Sequence, residues 1–219
     1  MQQFFAFGSS TVYWVWSVEW SYIDMLKQYL HEKSFSEWWF WEWYEVFNFW
    51  FAWATTEKVA ELYPMTLKHF WRDCHKTCII NVWWNNMKAE DSPDGFVSTP
   101  VQFEEVLKNF LQQLQNDFED ILFVWWSYVD ESKTTPKKSP LRPSSPWSRF
   151  RNERNAIFNT IQKDVSESLG ITFIWIDLSP EERVKKYGYT DWLHNNTGWH
   201  RYYFEKILKS LISKWIIKE

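Results

Sequence analysis

Asp191 and His194 stand three residues apart in "DWLHNNTGWH", a spacing at which a carboxylate can accept a hydrogen bond from an imidazole across one turn. Such a pairing holds a histidine in one tautomer and stabilises its protonated form, as the base of an acyl transfer requires. Ser10 follows the apolar run "QFFAFG", where a turn into a helix would present its hydroxyl. Asn85 stands at the end of another apolar run and could offer an amide N–H to a developing oxyanion. Each residue also has an ordinary structural reading. A serine after a strand often caps a helix, an asparagine there is often a turn residue, and Asp-x-x-His is often a surface pair. Their joint placement at strand ends is what favours chemistry, because open parallel sheets bind ligands beyond the carboxyl ends of their strands.

The elements that must position these residues can be read from hydrophobic spacing. "QFFAFG", "YEVFNF", "TCIINV", "DILFV" and "ITFIWIDL" predict five strands. Between them, "SYIDMLKQYLHEK", "TTEKVAELYPMTLKHF", "PVQFEEVLKNFLQQLQ" and "RNERNAIFNTIQKDVSESLG" predict amphipathic helices. Thr55 or Thr56 is the expected N-cap of the second, proline starts the third, and Gly170 closes the fourth. "GWHRYYFEKILKSLISKWIIK" predicts a last amphipathic helix. "NNMKAEDSPDGFVS" reads as a polar loop, and the segment 131–149, broken by prolines, as a long surface loop. Strands alternating with helices predict an α/β fold, a three-layer α/β/α sandwich with a mostly parallel five-stranded sheet. A length of 219 residues suits a single domain spanning 1–219.

Charge and composition narrow the function. The net charge of −4 gives no broad basic field, so nucleic acid is not an expected partner. Lys133, Lys137, Lys138, Arg142 and Arg149 in the 131–149 loop are read as a solvated set rather than as an anion site. The segment "MQQFFAFGSS" lacks a basic start and a long apolar core, so no signal peptide is expected. No apolar run is long enough for a membrane span, and the expected location is cytoplasmic. Cys74 and Cys78, with His75 between them, suggest a redox or metal pair, but no second ligand cluster accompanies them. Two reduced thiols leading into a strand is the simpler reading, and no metal or cofactor is expected.

The blocks "AFGSSTVYW", "NFWFAWATT", "VWWNN" and "DWLHNNTGWH" resemble, in order and spacing, the four motif blocks of the SGNH (GDSL-type) hydrolases. Those blocks run Gly-Asp-Ser, Asn-x-Gly-x-x-Gly, Gly-x-Asn-Asp and Asp-x-x-His. The resemblance implies a flavodoxin-like fold and a serine esterase or acylhydrolase acting on a small ester, an acylated carbohydrate or a lysophospholipid. It implies Ser10 as nucleophile, His194 as base and Asp191 as the group orienting it. The oxyanion hole would be the backbone N–H of Ser10, the backbone N–H of Trp53 and the side chain of Asn85. Two departures stand out: Ser9 and Asn86 each occupy a position where the family has aspartate. They motivate an alternative of another class, a non-catalytic binding protein on the same fold. An acyltransferase with the same triad would differ only in the acceptor.

A third departure is compositional. The chain has 19 tryptophans and 5 glycines, where roughly 15 glycines would be usual. Trp53, Trp83, Trp192 and Trp199 fall at glycine positions of the family pattern, and Trp14 and Trp50 fit places where glycine is usual. Many of these tryptophans are therefore expected to be glycines encoded by UGA and rendered as tryptophan. Trp147 and Trp215 occupy no such place in the pattern.

Overall fold

The computed structural model describes residues 1–9, 12, 20–36, 42–51, 53–82, 84–90, 95–125, 129, 131, 148–176, 178–188 and 196–218. Five strands build the main sheet: β1 (Gln2–Gly8), β2 (Tyr44–Trp50), β3 (His75–Asn81), β5 (Asp120–Val124) and β7 (Thr172–Ile174). Their order is β2-β1-β3-β5-β7 and every pairing is parallel, as the alternation of strands and helices predicts.

Side chains alternate across this sheet and build a core on each face. Phe5, Phe7, Cys78, Ile80, Ile121 and Phe123 point to one side. There they meet α2 (Thr56–Phe70), α4 (Pro100–Asp117) and α5 (Asn152–Ser168). Phe4, Ala6, Ile79, Leu122 and Val124 point to the other, against α1 (Tyr22–Ser36), α6 (Pro180–Tyr187) and α7 (Thr197–Ser213). A parallel sheet covered on both faces needs apolar residues at successive positions, which is why the strands read as continuous hydrophobic runs. Phe4, Phe5 and Phe7 are all fully buried, each contributing about 1.5–3 kcal/mol of transfer free energy.

The helix starts are chemically explicit. Thr55 caps α2 by accepting from the Lys58 N–H, and Thr99 and Gln102 form a reciprocal capping box at α4, with Pro100 in its first turn.

Three expectations need correction. The segment after β3 is not simply a polar loop. It forms a short helix, α3 (Trp84–Met87), then β4 (Ala89–Glu90), which pairs antiparallel with β6 (Ser148–Arg149). The stacking of Trp84 on Phe150, at 4.6 Å between ring centres, buries this segment against the chain entering α5. Residues 180–187, for which no helix was expected, form α6. The fifth strand is shorter than "ITFIWIDL" suggests, because β7 pairs with β5 only from Thr172 to Ile174 and β5 ends at Val124. Most of the 131–149 loop lies outside the described residues. No helix among the described residues is long and apolar enough to cross a membrane.

Candidate active site

The sheet order reverses direction between β1 and β3, since the chain passes from β1 outward to β2 and then back across to β3. That crevice, at the carboxyl ends of the strands, is where a doubly wound sheet takes its ligand. Gly8 ends β1 there, in register with Trp50 of β2 and Asn81 of β3. Glycine is required by space. A Cβ at position 8 would lie 2.0 Å from Val12 Cγ2 and 2.7 Å from the Asn81 carbonyl oxygen.

Beyond Gly8 the chain turns at once. The Val12 N–H donates to the Ser9 carbonyl at 3.1 Å, and Asn48 Nδ2 donates to the Val12 carbonyl at 3.2 Å. The described residues on both sides of Ser10 are thus tied to the end of β1 and to β2. Ser10 itself lies outside the described residues. Ser9 is buried, and among the described residues its hydroxyl has no hydrogen-bond partner.

The segment after β2 is drawn to the same place. The Phe51 N–H donates to the Gly8 carbonyl at 2.9 Å, and the Ala54 N–H donates to the Phe51 carbonyl at 3.2 Å. The latter bond closes a four-residue turn with Trp53 in its third position, at φ 59°. From the β3 side, Asn85 in α3 is 2% exposed and donates from Nδ2 to the Ala54 carbonyl at 2.8 Å. Two of the residues singled out from sequence, Trp53 and Asn85, are therefore brought together, one bond away from the residue that ends β1.

Asn86, beside Asn85, has a partner for both polar atoms of its amide. Its Oδ1 accepts from the Thr56 N–H at 2.8 Å and from Thr56 Oγ1 at 3.0 Å, so that it caps the start of α2. Its Nδ2 donates to Glu57 Oε2 at 2.7 Å and to Ser98 Oγ at 3.0 Å. A carboxylate at 86 could satisfy the first pair but would face Glu57 as a like charge. Asparagine suits this site because Glu57 is an acceptor. Arg154, on α5, closes the cage from outside. It donates from Nε to the Met87 carbonyl at 3.0 Å and from Nη2 to the Ser98 carbonyl at 2.7 Å, with its guanidinium 3.6 Å from the Phe96 ring centre. Burial and the neighbouring Arg151 charge lower its pKa. Sequence reading missed Glu57 and Arg154, because neither lies in a motif and both act across the fold.

Asp191 and His194 lie outside the described residues, as do Trp14, Trp83, Trp147 and Trp192. The chain after them is firmly held. Asn196 donates its backbone N–H to the Tyr187 carbonyl and its Nδ2 to the Lys186 carbonyl, while its Oδ1 caps α7 through the Trp199 N–H at 3.2 Å. Trp199 is helical and fully buried against Tyr187 and Tyr203, and Trp50 sits in regular strand. The backbone at neither position asks for glycine.

The cysteines lie away from this crevice, Cys74 just before β3 and Cys78 midway along it. His75 Nε2 pairs with Asp120 at 2.8 Å rather than with either thiol. Cys78 is fully buried inside β3, and burial pushes its thiol pKa well up. Among the described residues no group of three or more His, Cys, Asp or Glu side chains could hold a metal ion. A depression of about 470 Å³ lies elsewhere, between α1 and α7, lined by Trp20, Met25, Tyr29, Arg201 and Phe204, and it contains none of the candidate residues.

No family profile and no curated protein sequence matches the chain. Solved structures do. The lipase/acylhydrolase from Enterococcus faecalis superimposes with a TM-score of 0.68 at 14% identity, covering 98% of this chain and 97% of that one. The acetyl xylan esterase AlAXEase gives 0.67 at 14% identity, over 96% of this chain and 100% of that one. AlinE4, an SGNH-hydrolase family esterase, gives 0.53 at 16% identity, over 79% of this chain and 75% of that one. At such identities the likeness is one of fold, and the fold is that of the SGNH hydrolases.

Proposed function

We propose that this chain is a serine hydrolase of carboxylic esters. In this reading Ser10 Oγ attacks the ester carbonyl while His194 takes its proton, and Asp191 holds the imidazole and stabilises its charged form. The tetrahedral oxyanion is met by the backbone N–H of Ser10, the backbone N–H of residue 53 and the second amide hydrogen of Asn85. Collapse expels the alcohol, which takes the proton from His194, and leaves an acyl-enzyme. Water, deprotonated by the same histidine, then releases the acid and restores Ser10. The reaction so written uses neither metal nor organic cofactor.

The observation that carries this reading is the bond from Asn85 Nδ2 to the Ala54 carbonyl, at 2.8 Å. It joins the segments after β2 and β3 at the switch point, where the Phe51-to-Gly8 bond joins the first of them to the end of β1. The fold is shared with proteins described as a lipase/acylhydrolase and an acetyl xylan esterase, which supports a small acyl ester as substrate.

Two features favour the rival reading of a binding protein: a Ser9 hydroxyl with no partner among the described residues, where the family has aspartate, and an indole at position 53. Covalent labelling by a fluorophosphonate separates the two. Labelling that is lost in Ser10→Ala, with turnover of short p-nitrophenyl esters lost in parallel, supports the hydrolase. Absence of labelling in both the chain as written and its Trp53→Gly variant would overturn it.

A further inference from the structure

Among the described residues other than glycine, only two have a positive φ, and both are tryptophan: Trp53 and Trp215, each at 59°. In that region an L side chain crowds its own backbone, so glycine is favoured and asparagine or aspartate are the usual substitutes. Tryptophan has no short polar group with which to offset the strain.

The two positions share nothing but this demand. Trp53 is the third residue of the turn closed by Ala54 and Phe51, and a positive φ there calls for glycine. Trp215 lies just beyond α7, in the motif by which helices stop on glycine. The Trp215 N–H donates to the Ile212 carbonyl at 3.0 Å, and the Ile216 N–H reaches back to the Leu211 carbonyl at 3.0 Å.

The same chain provides the comparison. After α5, Gly170 at φ 68° occupies the equivalent place. Its N–H donates to the Glu167 carbonyl at 3.1 Å, and the Ile171 N–H donates to the Ser166 carbonyl at 2.8 Å. One helix ends on glycine and the other, with matching bonds, on tryptophan. The Trp215 side chain is 87% exposed, so packing does not explain it. The family pattern gave position 215 no glycine character; its backbone corrects that.

We propose that residues 53 and 215 are glycine in the protein as its source organism makes it, their codons being UGA, read there as glycine and rendered here as tryptophan. Glycine at position 53 would clear the indole from the turn that meets Asn85 and open the backbone N–H of that residue to a ligand. That consequence rests on the hydrolase reading, whereas the identity of residue 215 does not.

Thermal unfolding of the tryptophan, glycine and alanine versions at each position tests the backbone demand. Alanine removes the ring but keeps the Cβ that positive φ disfavours. Glycine is expected to raise the melting temperature by roughly 2–4 °C at each site, and alanine by clearly less. Equal gains for glycine and alanine, or no gain for glycine, would overturn the proposal. So would a UGG codon at either position in the gene. These measurements do not involve ester turnover, so they stand or fall apart from the assigned activity.

Discussion

Asn86 and Glu57 meet at 2.7 Å, amide to carboxylate, beneath the turn that carries Trp53 and Ala54. The contact shows what an asparagine does at this position. The amide satisfies the start of α2 with its oxygen and Glu57 with its nitrogen, so each atom has a defined role. Asn86→Asp retains the first function and sets two carboxylates against each other.

The variant is expected to lose about 1–3 kcal/mol at neutral pH. The sign of its pH dependence follows from linkage. A carboxyl destabilised when charged binds its proton more tightly folded than unfolded, so the penalty is full at pH 7 and shrinks as the pH falls toward 4. Adding Glu57→Gln should recover most of the loss. Denaturant midpoints of the two single variants and the double variant measure the coupling, and simple additivity would sink the account.

In the proposed mechanism Asn85 has two duties, and its variants should separate them. Asn85→Ala removes a donor to the oxyanion and is expected to lower kcat by about 10²- to 10³-fold with little change in KM. It also strips the Ala54 carbonyl of its partner, so the melting temperature should fall as well. Asn85→Asp turns an acceptor toward that carbonyl and should be the less stable of the two. An unchanged kcat on a p-nitrophenyl ester, with the protein still folded, would remove Asn85 from the mechanism.

Gly8→Ala should be among the most damaging single-methyl additions available to this protein. The added carbon would meet both a side chain at 2.0 Å and the Asn81 carbonyl at 2.7 Å. The second obstacle belongs to β3 and cannot rotate away. A cost of about 3 kcal/mol or more is expected. Shortening the side chain in Gly8→Ala/Val12→Ala should recover only part of it, since the Asn81 carbonyl remains. Full recovery on urea unfolding would show that β3 yields more readily than its pairing suggests.

The long elements of this fold are legible because burial on both faces leaves a mark in every strand. Phe4 and Phe5 can be adjacent only where each side of a sheet is covered. Asn85 is legible because it follows such a run. What escapes is short or non-local. The α3 helix has four residues, too few for a period, and β4 finds its partner β6 far along the chain. Glu57 looks like a first-turn carboxylate on α2 until Asn86, 29 residues later, is seen to use it. Trp215 is hidden for a different reason. "KWIIK" continues the apolar content of α7, so nothing in its spacing announces that the backbone reverses there.

Ser9 and Ser10 are adjacent in the chain, and the proposed mechanism needs only one of them as nucleophile. Ser9 Oγ is buried without a hydrogen bond among the described residues, so Ser9→Ala removes a polar atom that receives nothing from them in return for its lost hydration. The variant is expected to keep or slightly raise its melting temperature, by up to about 1 kcal/mol of added stability. It should still take up a fluorophosphonate, whereas Ser10→Ala should not. The reverse pattern would move the nucleophile to Ser9.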